Sequence, residues 1–534
     1  MSPVGTAVLG LALTWAVIRL SKVGSREPGI PPGPPTKPFL GNILDIPKEA
    51  MYRTFAAWAK TYGDIYSAIG RGTIIVVSSP QMVRELLDKH SSTTAGRLSS
   101  HFAKLVLDGL NIAFLTASDP TFKVVRRGLQ NLLSKESCAD HVPVQQAEAS
   151  QLMYDLLKRP EAYFTHVERF SFSIVLSVTF GVRCPRTDSE VLREFSRFEH
   201  DWEHLITPGH HPPVDFFPLL QYVPETFAPW KGLCRDLKAR NDKFYYGLLE
   251  ACERRMEREE YNGCFIENIL LEKEENGIAR KDALAISVAA IEGGSITTAS
   301  FMRSLICCLA AYPEVLERAH EEIDRVIGQV RIPTLEDIES LPYIQAIMKE
   351  VHRFCPAAPM GLPHLSTAEV MVGGYVIPKD STIFMNIYGM YHDDRIYDRP
   401  YEFRPERFLD SEFGTIPGTD DTDRCHDMHF GAGRRICPGI TLVTNSTTTA
   451  TLNLLWGFDV SVKKDPVTGK DLPIDPQLFT DAFIVSCTEV PVDITPRSDS
   501  HAHMIRSQYV ASREILKNYE HDLSPEDAAF VEYW

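Results

Sequence analysis

The spacing of apolar residues along the chain is mostly that of amphipathic helices. Apolar positions three and four residues apart extend over about 145–180, 230–256, 282–311 and 335–354. No fixed-period repeat and no change of composition divides the body of the chain, so the pattern predicts one large domain, mainly α with small β-sheets. The strands are predicted at Ile65–Ile69 and Thr73–Val77, as a hairpin around Gly70-Arg71-Gly72, and at Tyr375–Ile377 and Thr382–Met385.

The amino end has the pattern of a membrane anchor. Residues 1–18 carry no charged side chain, and at about 1.5 Å per residue they can cross a thin bilayer once. Arg19, Lys22 and Arg26 follow, which places the rest of the chain in the cytosol. A cleaved signal peptide is the alternative, but it would carry a basic residue before the apolar run. We therefore predict a transmembrane helix at 1–20 and a basic, proline-rich linker at 21–42.

The remaining boundaries follow from where core-like patterning stops. Residues 43–498 form the predicted globular domain, and residues 499–534 form a C-terminal tail of unknown role, with helical periodicity around 509–519.

Composition excludes several classes of protein. The chain has 534 residues, with 55 Lys+Arg against 71 Asp+Glu and a net charge of -16, so a broad electrostatic grip on nucleic acid is not expected. Its 11 cysteines include no CxxC pair, which argues against a structural zinc site or a disulfide framework and favours a reducing compartment.

The segment Phe430-Gly-Ala-Gly-Arg-Arg-Ile-Cys-Pro-Gly439 carries the most specific chemistry. Its spacing FxxGxRxCxG would arise by chance in about one chain in ten thousand of this length. A cysteine followed by proline and a helix places sulfur at a helix N-terminus, with proline at the first helical position, and favours the thiolate. Gly431 and Gly433 let backbone N–H groups approach the sulfur of Cys437, and Arg435 can face a carboxylate.

With this motif the chain resembles the cytochrome P450 family, of the microsomal type, from about Pro28 to Ser498. The resemblance implies the cytochrome P450 fold, with haem b bound and Cys437 as the thiolate ligand of its iron. Glu350-Val-His-Arg353 is similar to the family's ExxR element, and Arg407 lies in a segment like its PERF element. The resemblance implies a buried structural network of Glu350, Arg353 and Arg407.

The predicted helix near 282–311 contains Gly293-Gly-Ser-Ile-Thr-Thr298, which is similar to the family's oxygen groove. Its two glycines predict room for dioxygen and water, and Thr297 matches the threonine that organises proton delivery. Ile296 departs from the family, which has Asp or Glu there. Glu292, on nearly the same helix face, and Ser295 are therefore alternative proton carriers, although Glu292 can also be an ordinary ion-paired helix residue.

The two haem propionates require cations or hydrogen-bond donors. Phe122-Lys-Val-Val-Arg126 is similar to the family's WxxxR element with Phe122 in place of tryptophan, so Arg126, Arg435 and His364 are the candidates. By the same resemblance, an apolar substrate would contact residues 98–116 and 200–220, Ile291, the 356–362 turn and Phe483.

The pattern is most similar to P450s of fungal secondary metabolism, which implies a monooxygenase of the endoplasmic reticulum membrane acting on a hydrophobic small molecule. No flavin or nicotinamide motif is present in the chain, so electrons from NADPH would come through a separate P450 reductase, with cytochrome b5 as a second donor. Two alternatives stay open: an isomerase, dehydratase or peroxide-using enzyme on the same scaffold, which Ile296 favours, and a non-enzymatic haem-binding membrane protein.

Overall fold

The structure is a computed structural model that describes residues 24–70, 72–207, 210–212, 214–215, 217–271, 278–425 and 428–533. The transmembrane helix predicted at 1–20 lies outside the described residues. Among the described helices, Arg280–Ala311 is long and apolar enough to cross a membrane, but 67% of its apolar window is buried inside the protein, as in the core helix of a globular domain.

Helices make up most of the molecule, as the apolar spacing predicts. Their bounds are α1 Met51–Tyr62, α2 Pro80–Val83, α3 Ser91–Thr94, α4 His101–Leu107, α5 Pro120–Leu132, α6 Lys135–Lys158, α7 Tyr163–Phe180, α8 Glu190–Ile206, α9 Pro229–Glu257, α10 Phe265–Leu271, α11 Arg280–Ala311, α12 Pro313–Val326, α13 Pro342–Phe354, α14 Ile387–Tyr391, α15 Arg407–Asp410, α16 Ile440–Gly457, α17 Asp499–Leu516 and α18 Pro525–Tyr533.

The strands form three small sheets, and the predicted hairpin is confirmed, with Ile69 opposite Thr73 across the turn. The largest sheet has the order β1-β2-β6-β3, and β4-β5 and β7-β8 form antiparallel pairs. The strand bounds are β1 Ile65–Ile69, β2 Thr73–Val77, β3 His364–Leu365, β4 Val370–Val372, β5 Tyr375–Ile377, β6 Thr382–Met385, β7 Phe458–Val462 and β8 Val492–Pro496.

Two of the predicted helical runs are each divided by a proline. The run at 145–180 is two helices, α6 and α7, because Pro160 opens a short 3-10 turn between them. The run at 335–354 is a 3-10 segment followed by α13, which begins at Pro342. Proline has no backbone N–H to donate inside a helix, so it is tolerated at the first helical position and divides the run there.

Helix α11 runs through the centre of the core. Neighbouring helices approach it most closely at glycines: a Cβ at Gly294 would lie 2.7 Å from Val175 Cγ2 on α7, and one at Gly128 on α5 would lie 2.2 Å from Ile286 Cδ1. These approaches fix α5 and α7 against α11, whose residues from Ala283 to Val288 are buried.

The proline-rich segment does not stand clear of the body, as a spacer would. The Ser67 N–H of β1 donates to the Pro32 carbonyl at 2.7 Å, and the Val376 N–H of β5 donates to the Gly29 carbonyl at 2.8 Å. Arg26 donates to Ser67 Oγ at 2.9 Å. The described part of the predicted linker is therefore bound along the edges of two sheets.

The C-terminal segment is also part of the folded body. Tyr509 of α17 stacks on Tyr154 of α6 with ring centroids 4.3 Å apart, and Leu516 is completely buried. The expectation that core-like packing stops at Ser498 is wrong, because α17 presents these widely spaced apolar residues to α6.

Candidate active site

The loop around Cys437 takes a conformation that requires glycine. Gly431 and Gly433 have φ of +87° and +59°, in the region that side chains disfavour. A Cβ at Gly433 would lie 2.0 Å from the Leu87 carbonyl oxygen. The Cys437 N–H donates to the Phe430 carbonyl at 2.9 Å. The loop is thus closed on itself and pressed against the segment that contains Leu87, which fixes the position of the sulfur.

Cys437 itself is half-buried, and its Sγ accepts a hydrogen bond from the Gly439 N–H at 3.3 Å. Helix α16 begins at Ile440 with Gly439 as its N-cap, so Pro438 precedes the helix instead of occupying its first position, contrary to the sequence prediction. Burial raises the pKa of Cys437, and the Gly439 N–H and Arg126 act in the opposite direction. A thiolate here needs a further positive charge in contact, which a bound metal ion supplies.

One face of α11 is open along an otherwise buried helix. Its partly exposed residues, spaced three and four apart, form what we call the open stripe: Ala289, Glu292, Gly293, Ile296 and Thr297. A Cβ at Gly293 would meet nothing within 4 Å, and Thr297 Oγ1 donates to the Gly293 carbonyl at 2.7 Å. The segment from Gly293 to Thr298 therefore lies beside open space, and the Thr297 hydroxyl is on the open side.

Two further positions of the motif, Gly294 and Ser295, point elsewhere. Gly294 packs against Val175, so its missing side chain serves helix packing and does not make room for a ligand. Ser295 is buried, and its hydroxyl donates to the Ile291 carbonyl at 2.7 Å within the helix. Ser295 consequently lies off the open stripe, on the packed side of α11.

Three arginines gather near the cysteine loop. Arg97 is 5% exposed, and burial together with Arg435 lowers its pKa to about 9. Burial and Arg126 lower the pKa of Arg435 to about 10. Burial also lowers the pKa of Arg126, which Cys437 opposes. Among the residues that the structure describes, no carboxylate forms an ion pair with any of the three, so this arginine cluster is an unneutralised positive site.

Backbone carbonyls hold two arginines of the cluster, Arg97 and Arg435. Arg435 Nε donates to the Ala95 carbonyl at 2.9 Å, and its guanidinium lies 4.0 Å from the centre of the Phe122 ring. Arg97 Nη1 donates to the carbonyls of Leu362 and Pro363, both at 2.8 Å, while its buried Nε has no hydrogen-bond partner among the described residues. These contacts fix the guanidinium groups and leave donor capacity for an anion.

His364 lies beside the arginine cluster, but its side chain is uncharged. Burial, followed by Arg97, lowers its pKa to about 3, so the ring is neutral at physiological pH. Its Nδ1 lies 2.9 Å from the Thr94 carbonyl, which can only accept, so Nδ1 carries the proton. The neutral ring then has only an acceptor left at Nε2, and Arg97 is better suited than His364 to bind an anion here.

Glu350, Arg353 and Arg407 form a fully buried network. Arg353 donates to both carboxylate oxygens of Glu350, at 2.7 and 2.8 Å, and Arg407 Nε donates to the same carboxylate at 3.2 Å. Arg353 also donates to the carbonyls of Tyr391 and Pro400. Since every charge is paired and hydrogen-bonded, the network ties α13 to the segment that leads into the cysteine loop.

The arrangement fits haem on its donor chemistry. A buried arginine cluster without carboxylates suits a group with two carboxylates of its own, and a half-buried sulfur that needs a cation suits iron. The open stripe of α11 leaves space that side chains do not fill.

Comparison with known proteins decides the family. The cytochrome P450 family model matches residues 31–478. The chain belongs to the cytochrome P450 family. It is 41% identical to a cytochrome P450 monooxygenase of Armillaria gallica, over 95% of this chain and 96% of that one. It is 33% identical to a cytochrome P450 monooxygenase of Arthrobotrys oligospora, over 97% and 99%, and 32% identical to the cytochrome P450 monooxygenase yanC of Aspergillus niger, over 96% and 98%.

The protein is therefore a P450 monooxygenase with the mainly helical fold of that family, which implies haem held by a cysteine thiolate. Two features of this P450 escaped the sequence analysis. Arg97 has no motif around it, and Glu199, which meets Glu292 in the interior, is one of many charged residues on α8. The four-residue spacing of Phe195 and Glu199, which puts Glu199 on the buried face of α8, was the only signal for it.

Proposed function

We propose that this P450 binds haem b through Cys437 and inserts one atom of dioxygen into a hydrophobic small molecule. The observation that carries the assignment is the cysteine loop, in which two glycines at positive φ hold a half-buried sulfur close to Arg126. In this proposal Arg97, Arg126 and Arg435 hold the haem propionates, and Phe430, Gly431 and Gly433 shape the loop around the sulfur. His364 supports the segment next to Arg97 through the Thr94 carbonyl.

Bound haem would supply dioxygen activation, with two electrons delivered from NADPH through a separate reductase and one oxygen atom leaving as water. Cytochrome b5 is proposed as an additional electron donor. The exposed Arg127 and Arg434 lie on the same segments as Arg126 and Arg435, and they supply the basic surface proposed for the acidic reductase. Reversal of both charges should slow haem reduction, and an unchanged rate would contradict this docking surface.

Thr297 is the proposed proton-delivering residue of the open stripe. Its hydroxyl donates to the Gly293 carbonyl beside open space. The hydroxyl oxygen can therefore accept a hydrogen bond from a ligand there while its own proton is donated to the carbonyl. Burial, followed by Glu199, raises the pKa of Glu292 well above its usual value, so Glu292 holds its proton more strongly than an ordinary glutamate. We propose that Glu292 assists proton delivery in place of the acid that Ile296 replaces. Ser295 is a weaker candidate, since it is buried on the packed side of α11, away from the open stripe.

The Thr297 proposal is tested by the coupling of NADPH consumption to product. Thr297→Ala should raise the peroxide released per NADPH several-fold, because the positioned hydroxyl that would deliver protons is lost and water takes its place, and Thr297→Ser should restore coupling. Glu292→Gln should raise peroxide as well. If Glu292→Gln leaves coupling unchanged while Thr297→Ala raises peroxide, Glu292 has no part in proton delivery.

The substrate is proposed to be apolar, because Ala289 and Ile296 line the open stripe, and to belong to fungal secondary metabolism. We also propose that residues 1–20 tether the enzyme to the endoplasmic reticulum membrane with the haem domain in the cytosol.

Labelled oxygen decides between monooxygenation and the alternatives. Holoenzyme reconstituted with a P450 reductase and a candidate substrate should consume NADPH in a substrate-dependent way and place one ¹⁸O atom from ¹⁸O₂ in the product. An isomerase or dehydratase, which Ile296 favours, would convert its substrate without NADPH or label, and a peroxide-using enzyme would take label from H₂¹⁸O₂. A non-enzymatic haem protein would bind haem and convert nothing.

A further inference from the structure

Two glutamates from different helices meet inside the molecule. Glu199 of α8 and Glu292 of α11 are half-buried residues whose Oε1 atoms are fully shielded from solvent and lack a hydrogen-bond partner in the part of the chain that the structure describes. Burial and the proximity of the other carboxyl raise the pKa of Glu292, and burial and Glu203 raise that of Glu199. The pKa of both carboxyls therefore lies above that of an ordinary glutamate, at about 8 for Glu199.

A third helix, α9, brings the Tyr245 hydroxyl near this pair, and Asn241 lies one turn away on the same helix. Asn241 and Tyr245 lie one turn apart on α9 and are 4% and 1% exposed. Asn241 Oδ1 and the Tyr245 hydroxyl have no hydrogen-bond partner among the described residues. Burial and then the two carboxyls raise the pKa of Tyr245, which places its hydroxyl close to them. On Glu292, the second oxygen is taken by Asn111 Nδ2, so Oε1 is the atom that remains free.

Elsewhere the protein pairs its buried glutamates with arginine. Glu148 binds Arg169 and Arg183, and Glu267 binds Arg255. By contrast, neither Glu199 nor Glu292 has an ion pair within the described residues, and the causes of their shifted pKa include no cation. An unpaired buried polar atom costs about 1–3 kcal/mol. A structural role would not require this cost, so the unfilled acceptors point to a ligand.

The location of the pair identifies that ligand as the substrate. Glu292 belongs to the open stripe of α11, one residue before Gly293, where no side chain fills the space. The free atoms on Glu199, Glu292 and Asn241 are oxygens that accept hydrogen bonds, and no cation among the described residues acts on either carboxyl. A protonated amine supplies both the hydrogen-bond donor and the positive charge that these oxygens lack.

We propose that Glu199, Glu292, Asn241 and Tyr245 form a subsite for a protonated amine on an otherwise hydrophobic substrate. This inference rests on the proposed function, because it places the subsite in the substrate pocket of a haem enzyme. Glu199 gives up its proton and becomes the counter-ion of the amine. Glu292 accepts a hydrogen bond from the amine through Oε1, the oxygen that Asn111 leaves free.

The test compares three probes of one shape on the haem-loaded full chain by titration calorimetry. The amine is N,N-dimethyloctylamine, whose crowded nitrogen is protonated at neutral pH, and its matched ligands are 2-methyldecane and 2-methyl-2-decanol. The amine should bind at least ten-fold more tightly than either neutral ligand. In buffers of different ionisation enthalpy, amine binding should release close to one proton, and binding of the neutral ligands should release none.

Matched variants assign the effect to the pair. Glu199→Gln should weaken amine binding at least ten-fold and abolish proton release without changing the affinity for 2-methyldecane. Glu292→Gln should weaken it several-fold, since an amide oxygen still accepts. Glu194→Gln is the control, because Glu194 lies on the same helix but is paired with Arg197 at the surface.

Three outcomes overturn the subsite. In the first, wild type binds the amine and the hydrocarbon with equal affinity. In the second, it binds the amine and the alcohol with equal affinity and releases no proton. In the third, Glu199→Gln weakens the binding of all three probes alike. The carbon monoxide spectrum of the reduced protein separates this failure from that of the proposed function. If wild type shows the thiolate band but no amine preference, the subsite alone is wrong. If the band is absent, the haem-thiolate proposal falls and the subsite with it.

Discussion

At the residue scale, the arginine cluster shows how the site is charged. Arg97, Arg126 and Arg435 are brought together against their mutual repulsion, and no carboxylate among the described residues compensates them. Such a group of cations destabilises the protein when its anion is absent. The arrangement therefore fits a dianionic partner, and in the proposed function the two propionates of haem would supply those charges.

Removal of one member of the cluster should loosen the bound haem. Arg97→Leu deletes a guanidinium held between two carbonyls and should speed haem transfer to apomyoglobin about ten-fold, since a buried charge-assisted hydrogen bond contributes about 1.5–3 kcal/mol. Arg127→Leu is the matched control, because Arg127 is exposed on α5. Equal transfer rates for wild type and Arg97→Leu would contradict a role of Arg97 in holding propionates.

The sequence could indicate Arg435 but not Arg97. Arg435 has a fixed spacing from Cys437, whereas Arg97 reaches the site because Gly96 pairs with Leu365 across the fold. A Cβ at Gly96 would lie 2.5 Å from the Leu365 carbonyl oxygen. That contact joins positions more than 250 residues apart, and local patterning carries no information about it.

At the element scale, the adjacent glycines of α11 have opposite surroundings. Gly293 adjoins open space and Gly294 meets Val175 of α7. Two glycines inside a helix lower its stability, so the sequence predicts that the missing side chains bring some other gain. From the sequence, both glycines were assigned to the same groove. Which glycine faces which partner depends on the rotation of α11, and only packing against α7 fixes that rotation.

Alanine at these two positions should separate stability from activity. Gly294→Ala should lower the free energy of unfolding by about 1–3 kcal/mol, because the new methyl group overpacks against Val175. Gly293→Ala should leave stability unchanged or raise it by up to about 1 kcal/mol, since alanine favours the helix, and should lower turnover by narrowing the open stripe. Urea unfolding and NADPH-coupled turnover measure the two effects.

A second substitution checks the packing argument. Val175→Ala in the Gly294→Ala background should recover most of the lost stability, because it removes the atom that the new methyl group would meet. Additive destabilisation by the two changes would show that Gly294 is not required by the approach of α7.

Local patterning predicted four of the eight described strands, and β3, β4, β7 and β8 were missed. The four predicted strands have the observed bounds, and three of them, β1, β2 and β5, are short apolar runs next to glycine turns, which leave few alternatives. The helical runs were joined across Pro160 and Pro342, where periodicity continues but the backbone cannot. Periodicity reports which face is buried, and Pro160 and Pro342 mark the breaks in these runs, whereas Pro143 lies inside α6.

At the scale of the whole molecule, the C-terminal segment holds distant parts of the domain together. Glu520 binds Arg183, and Asp522 binds Arg255, two arginines that are buried in the body. Tyr509 adds a stacked contact with Tyr154 of α6. The segment therefore neutralises charges and covers apolar surface that the rest of the chain would leave exposed.

Loss of these contacts should destabilise the protein. Tyr509→Ala should lower the free energy of unfolding by about 3–5 kcal/mol, as for other buried aromatic residues, whereas Val510→Ala should change it by less than about 0.5 kcal/mol because Val510 is 65% exposed. Denaturant unfolding followed by circular dichroism measures both. Similar small effects of the two substitutions would contradict a structural role for the segment.

The central claim is a thiolate at position 437 bound to haem iron, and the most direct measurement is the absorption spectrum of the reduced, carbon monoxide-bound protein. Wild type should show the strongly red-shifted Soret band that thiolate ligation produces, and Cys437→Ser should lose that band, while Cys425→Ser, at an exposed cysteine, should keep it. A wild-type protein that folds with haem but lacks the band, or a Cys437→Ser variant that retains it, would contradict the account.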